Sequence, residues 1–118
     1  MSKLFTIRVG DRKPYLAYKF GFSLEDALGV TFSAKDATTE LVFINNQPAV
    51  IANGTYTIEG EEVTLTPASG IAFYPWAIAD TAVERASCLA LFHINWPGNV
   101  GETLPSDGYE RFRIGDNF

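Results

Sequence analysis

Residues 88–96 read Cys88-Leu89-Ala90-Leu91-Phe92-His93-Ile94-Asn95-Trp96. Alternate residues of an extended chain point to opposite sides, so Ala90, Phe92, Ile94 and Trp96 share one face, and Leu89, Leu91, His93 and Asn95 share the other. With both faces partly apolar, this stretch predicts a central strand. The same period of two runs through most of the chain on either side. Downstream, Pro97-Gly98-Asn99 turns the chain, and residues 109–114 close it with Phe112 and Ile114 inward. Upstream, residues 71–76 form a strand that ends before a polar corner at Asp80-Thr81. Val30, Phe32 and Ala34 mark another, and Phe5, Ile7 and Val9 a first one. Pro14 opens a run in which Leu16, Tyr18 and Phe20 oppose Tyr15, Ala17 and Lys19. Two hairpins are expected. Asn45-Asn46-Gln47 joins residues 41–44 to 48–52, because Asn tolerates positive φ, and Gly60-Glu61 joins residues 55–59 to 62–67. Residues 23–29 read as one capped helical turn, or as a loop burying Leu24 and Leu28. Turn signals about every 8–12 residues predict an all-β fold: a two-sheet, immunoglobulin-like β-sandwich of about eight antiparallel strands, with at most one short helical turn. A closed barrel is the runner-up.

With 118 residues the chain matches one domain, spanning 1–118, and a domain of this size hides roughly two-thirds of its unfolded surface. Hydrophobic residues at 47% and charged ones at 19% are a globular composition. One Cys excludes an intramolecular disulfide or a Cys-based zinc site, and one His excludes a His-pair metal site. The formal charge of −5 argues against a nucleic-acid grip, which needs surplus Lys and Arg. No apolar run approaches the roughly 20 residues of a membrane span, and the start lacks a secretory h-region. The expectation is therefore a chain that folds in a cytosol, with no membrane partner. The sequon Asn53-Gly54-Thr55 reads as a turn.

The search for chemistry returns little. Cys88 and His93 share a strand at an odd offset, so they lie on opposite faces and cannot pair. The acidic residues Glu59, Glu61 and Glu62 cluster on a hairpin tip, while Asp11, Asp80, Asp107 and Asp116 occupy turn positions. No phosphate loop, His-Glu-x-x-His or calcium-loop spacing is present. The expectation is a non-enzyme with no cofactor and no metal. Tyr74, Trp76 and Trp96 could line a sugar-binding face, which makes a carbohydrate-binding module the alternative of another class. Filling the core of so small a sandwich is the stronger demand on these rings.

From Gly70 onward the order is Gly70, Tyr74, Trp76, Asp80-Thr81, Ala90-x-Phe92-x-Ile94-x-Trp96-Pro97, Thr103-Leu104-Pro105 and Gly108-Tyr109. The N-terminal half adds Gly10-Asp11 with Pro14, and Leu28-Gly29-Val30-Thr31-Phe32. This pattern resembles the N-terminal domain of the phage baseplate upper protein family, a β-sandwich of tailed-phage tails. One departure is Ala86-Ser87-Cys88, where that family starts the long strand with Gly-x-Tyr. The resemblance implies a non-enzymatic structural component of a tailed-phage or prophage particle, assembled in the host cytoplasm and resident in the virion. Its expected partners are other virion proteins of the tail hub, the connector or the capsid. Multiple copies or a homo-oligomeric ring are expected, at the tail or baseplate, with a head–tail connector or capsid decoration role as the alternative. Relatives carry longer C-terminal parts, and what the resemblance carries over to these residues is the expectation of docking, without a heptad stalk or receptor-binding head. Expected interface residues are Phe5 and Ile7 on the first strand, the 48–52 edge and Phe118.

Overall fold

The computed structural model describes residues 5–13, 15–58, 60–105 and 108–116, with the side chain of Ile58 excepted. Pro14 and Phe118, both singled out above, lie outside the described residues, as do Glu59 and Asp107. The described strands are β1 (Phe5–Arg8), β2 (Leu16–Lys19), β3 (Gly29–Asp36), β4 (Val42–Pro48), β5 (Val50–Ile51), β6 (Gly54–Ile58), β7 (Glu61–Leu65), β8 (Ile71–Tyr74), β9 (Arg85–Trp96), β10 (Val100–Leu104) and β11 (Glu110–Gly115). The chain is all-β. Strand β9 is central to a six-stranded sheet ordered β1-β11-β9-β3-β4. On one side β9 pairs with β3. On the other, β11 lies along its first half and β10 along its second. A three-stranded sheet runs β2-β8-β5, and β6 and β7 form a hairpin of their own.

The core lies where alternation puts it. Val30, Phe32, Ala34, Cys88, Ala90, Phe92, Ile94, Phe112 and Ile114 are buried on one face of the six-stranded sheet. Leu16, Ala72 and Tyr74 of the smaller sheet are buried against them, together with Phe20, Leu24 and Trp76. Phe32 stacks on Tyr74 with ring centroids 4.4 Å apart and meets Phe92 edge-on at 5.0 Å. Phe92 in turn meets Phe20 edge-on at 5.9 Å. Such ring pairs add about 0.5–1.5 kcal/mol each beyond simple burial.

Three expectations need correction. The strands are not all antiparallel: β1 runs parallel to β11, with Phe5 opposite Phe112 and Ile7 opposite Ile114. A parallel pair needs a long connection, and the whole intervening chain supplies it. Second, Asn45-Asn46-Gln47 is no hairpin turn but the middle of β4. The left-handed φ of 50° is present at Asn46, but it makes a bulge against β3, where the register slips between Phe32 and Ala34 and again before Lys35. The chain then changes sheets beyond Pro48, so that Val50 and Ile51 pair with β8. Third, two 3-10 turns form, at Pro67–Ser69 and Ile78–Thr81, and neither is the expected turn at residues 23–29. In each, a side chain three residues on accepts the capping N–H: Ser69 Oγ from Thr66 at 3.1 Å, and Asp80 Oδ2 from Ala77 at 2.8 Å. The 23–29 segment is a loop that buries Leu24 and leaves Leu28 72% exposed.

One buried ion pair closes the end of β3. Asp36 Oδ1 accepts the Thr38 and Thr39 N–H groups at 2.8 and 3.2 Å, and Oδ2 takes Arg85 Nη1 at 3.0 Å. The Arg85 guanidinium lies over the Phe43 ring at 4.4 Å. The Thr38 N–H above all, then Arg85 and Thr39, hold the Asp36 carboxyl below its ordinary 3.8 against the opposing effect of burial. A carboxyl lowered by folding stabilises the protein above its unfolded value, and that contribution disappears as pH falls through the lower folded value. The urea midpoint of the wild type should therefore drop below about pH 4. Asp36→Asn should flatten that acid limb while lowering the midpoint at neutral pH. An unchanged acid slope in Asp36→Asn would contradict this assignment.

Candidate functional site

The outward face of the six-stranded sheet carries an extended concavity built from several strands. On β3 and β9 the outward pairs are Thr31 with His93, Ser33 with Leu91, and Lys35 with Leu89. The bulge in β4 brings Asn46 alongside: the Ser33 hydroxyl accepts the Asn46 N–H at 2.9 Å and donates to Asn46 Oδ1 at 3.4 Å. Thr103 enters from β10, and its Oγ1 lies 3.0 Å from His93 Nδ1. The imidazole rests over Gly101, where a Cβ would come within 2.8 Å of the ring. Thr31, Ser33, Asn46, Leu91, His93, Asn95 and Thr103 line a hollow of about 490 Å³. A smaller hollow of about 160 Å³ continues from it, lined by Lys35, Val42, Leu89, Leu91 and Tyr109 among others.

The polar groups that line the larger hollow, hydroxyls, side-chain amides and one imidazole, offer hydrogen bonds. Neither lining contains a carboxylate, and the side chain that His93 meets there is the Thr103 hydroxyl. Cys88 is fully buried on the opposite face of β9, as strand parity requires. Burial, with a smaller push from Asp36, raises its thiol to about 11, so it stays protonated and unreactive at neutral pH. No group of three His, Cys, Asp or Glu residues that could hold a metal ion occurs among the described residues.

The residues singled out in the sequence do not gather at one place. Gly10, Asp11, Asp80, Thr81 and Tyr74 meet in one corner. The Gly10 N–H donates to the Thr81 carbonyl at 2.9 Å, and the buried Thr81 hydroxyl donates to the Asp11 carbonyl at 2.8 Å. Tyr74 Oη donates to Asp80 Oδ2 at 2.6 Å, and burial followed by this carboxylate raises the phenol well above its usual value. Trp76 is in the core, whereas Trp96 is half-buried with its Nε1–H on Glu102 at 3.0 Å. The three rings proposed for a sugar platform are thus not on one surface. Pro97 is exposed at the β9–β10 turn, Pro105 follows β10, and Tyr109 is exposed beside Lys35 Nζ, 5.5 Å from its ring centre.

Of the expected interface residues, Ile7 is 1% exposed and belongs to the core, a correction that follows from its place opposite Ile114. Phe5 is half-buried and stacks near Trp76 at 6.4 Å. The Ser33–Asn46 hollow was missed by sequence reasoning. The outward polar row Thr31, Ser33, Lys35 was legible as a pattern, but the bulge that adds Asn46 to it was not. No protein-family model, no curated protein and no solved structure matches this chain.

Proposed function

We propose that the chain is a non-enzymatic structural component of a tailed-phage or prophage particle, docking in multiple copies onto a symmetric assembly in the tail or baseplate. In this reading its sheets make a two-layer, immunoglobulin-like β-sandwich. Non-sequential neighbours in the large sheet and the stacked Phe32 and Tyr74 support that arrangement. The observation that carries the proposal is the corner described above. Gly10-Asp11 and Asp80-Thr81, two blocks of the baseplate-protein pattern, hydrogen-bond to each other across 70 residues of chain. These residues are thus spent on tying the turn after β1 to the 3-10 turn before β9, as expected of a scaffold.

Mass spectrometry of purified particles should find the chain at a copy number that is a multiple of three or six, matching phage symmetry. Its absence from particles would end this reading. Electron microscopy of particles lacking the gene distinguishes the sites: missing tail fittings place it at the baseplate or tail, and weakened or unjoined heads place it at the capsid or connector.

A further inference from the structure

The β6–β7 hairpin belongs to neither larger sheet. It is anchored by Tyr56, whose ring meets Phe73 edge-on at 5.9 Å and whose hydroxyl accepts the Asn53 N–H at 3.1 Å. Ala72 and Tyr74, on either side of Phe73, point into the core. Phe73 therefore faces outward, and the hairpin leans on the side of the small sheet that is turned away from the large one. At its end Glu61 and Glu62 are exposed, and the sequence adds Glu59 beside them.

The opposite side of the molecule carries the complementary charge. Phe112 and Ile114 point inward, so Arg111 and Arg113 point out from the far face of the large sheet, and Arg8 joins them from β1. Arg113 Nη2 and Arg8 Nη1 converge over Gly115, lying 3.3 and 3.5 Å from the position its missing Cβ would take. Arg8 also donates to the Asp116 carbonyl at 2.8 Å. Two guanidiniums gathered over one glycine repel each other unless an anion sits against them, and a carboxylate suits their planar donor geometry. Among the described residues the ion pairs are Lys35–Glu40 and Arg85–Asp36, and neither Glu61 and Glu62 nor these arginines form one with another described residue.

We propose that the occupant of the Arg8–Arg111–Arg113 patch is the acidic hairpin of a second copy of this chain. Because the two surfaces lie on opposite outer sides of the layered body, one chain cannot join them to each other. Contact between copies is then head to tail, the kind that closes into a ring when the rotation permits. The inference rests on the multi-copy reading above and deepens it, but its test uses the purified chain alone. Failure here is therefore distinguishable from absence of the chain in particles.

Light scattering coupled to size-exclusion chromatography should show the wild type above monomer mass at low ionic strength and returning to monomer as salt screens the pairs. Glu61→Lys with Glu62→Lys, and separately Arg111→Glu with Arg113→Glu, should each lose the larger species. All four side chains are exposed, so the thermal midpoints should stay close to that of the wild type. An equimolar mixture of the two double variants should regain the larger species, since each hairpin then meets an edge of opposite charge. A wild type that is monomeric throughout, double variants that assemble like the wild type, or a mixture that stays monomeric would each overturn the proposal.

Discussion

Gly70→Ala is expected to destabilise the fold by about 4 kcal/mol or more, a large share of the 5–15 kcal/mol that holds a domain of this kind together. Gly70 ends the 3-10 turn at Pro67–Ser69 with φ of 71° and ψ of 36°. That left-handed conformation alone costs a residue with a Cβ roughly 1–2 kcal/mol. The greater part comes from a collision: the new Cβ would stand 2.0 Å from the Phe22 carbonyl oxygen and 3.0 Å from its carbon. No rotamer relieves a clash with backbone. Nor can the two segments easily part, because the Phe20 N–H donates to the Gly70 carbonyl and the Leu24 N–H to that of Pro67, both at 2.8 Å. Separating them sacrifices bonds of about 1 kcal/mol each and opens the layer over Leu24, which is buried. Gly98→Ala is the control. Gly98 has an equally left-handed φ of 82° with nothing within 4 Å of its Cβ position, so only the conformational cost of about 1–2 kcal/mol applies. Urea denaturation of the two variants should separate their midpoints widely, and coinciding midpoints would refute the close approach at Phe22.

Side-chain direction was legible in the sequence wherever alternation alone decides it. The two faces of residues 88–96, the central place of that strand, the inward Phe112 and Ile114, and the separation of Cys88 from His93 all follow from parity. Strand partners were not legible, because pairing is settled by chain segments far apart. The alternation of Phe5, Ile7 and Val9 gives a strand and a face, yet nothing local says that it lies parallel to β11. Asn46 shows the same limit at one residue. Its tolerance for positive φ serves a hairpin turn and a bulge equally well, and the bulge is chosen by the continued pairing of β4 with β3. The outward hollow depends on that choice, since Asn46 reaches Ser33 only through it. The acidic cluster at Glu61 and Glu62 was visible in the sequence. The arginines proposed to face it between copies, Arg8 with Arg111 and Arg113, are brought together only through the β1–β11 pairing.

Trp76→Ala should cost about 3–5 kcal/mol, the range for emptying a fully packed aromatic site. The indole is 4% exposed. It meets Tyr74 edge-on at 5.2 Å and Phe32 edge-on at 5.9 Å, and lies 5.4 Å from Phe112 and 6.4 Å from Phe5. These partners come from β1, β3, β8 and β11, so the gap left by alanine is bounded by two sheets and cannot collapse by moving one strand. Trp96→Ala should cost much less, about 1–2 kcal/mol, because that ring is half-buried, meets only Phe22 among the described aromatic contacts, and loses one hydrogen bond to Glu102. Tryptophan fluorescence distinguishes the two directly. In a Trp96→Phe variant the remaining emission should be blue-shifted and resistant to iodide, and it should become accessible only as urea unfolds the chain. A sugar-binding role for Trp76 requires the reverse: an open, quenchable ring whose removal abolishes glycan binding and leaves the fold intact. Wild-type stability in Trp76→Ala would remove this ring from the core and restore the carbohydrate reading. A midpoint lowered by the expected amount leaves Trp76 as packing between the two sheets.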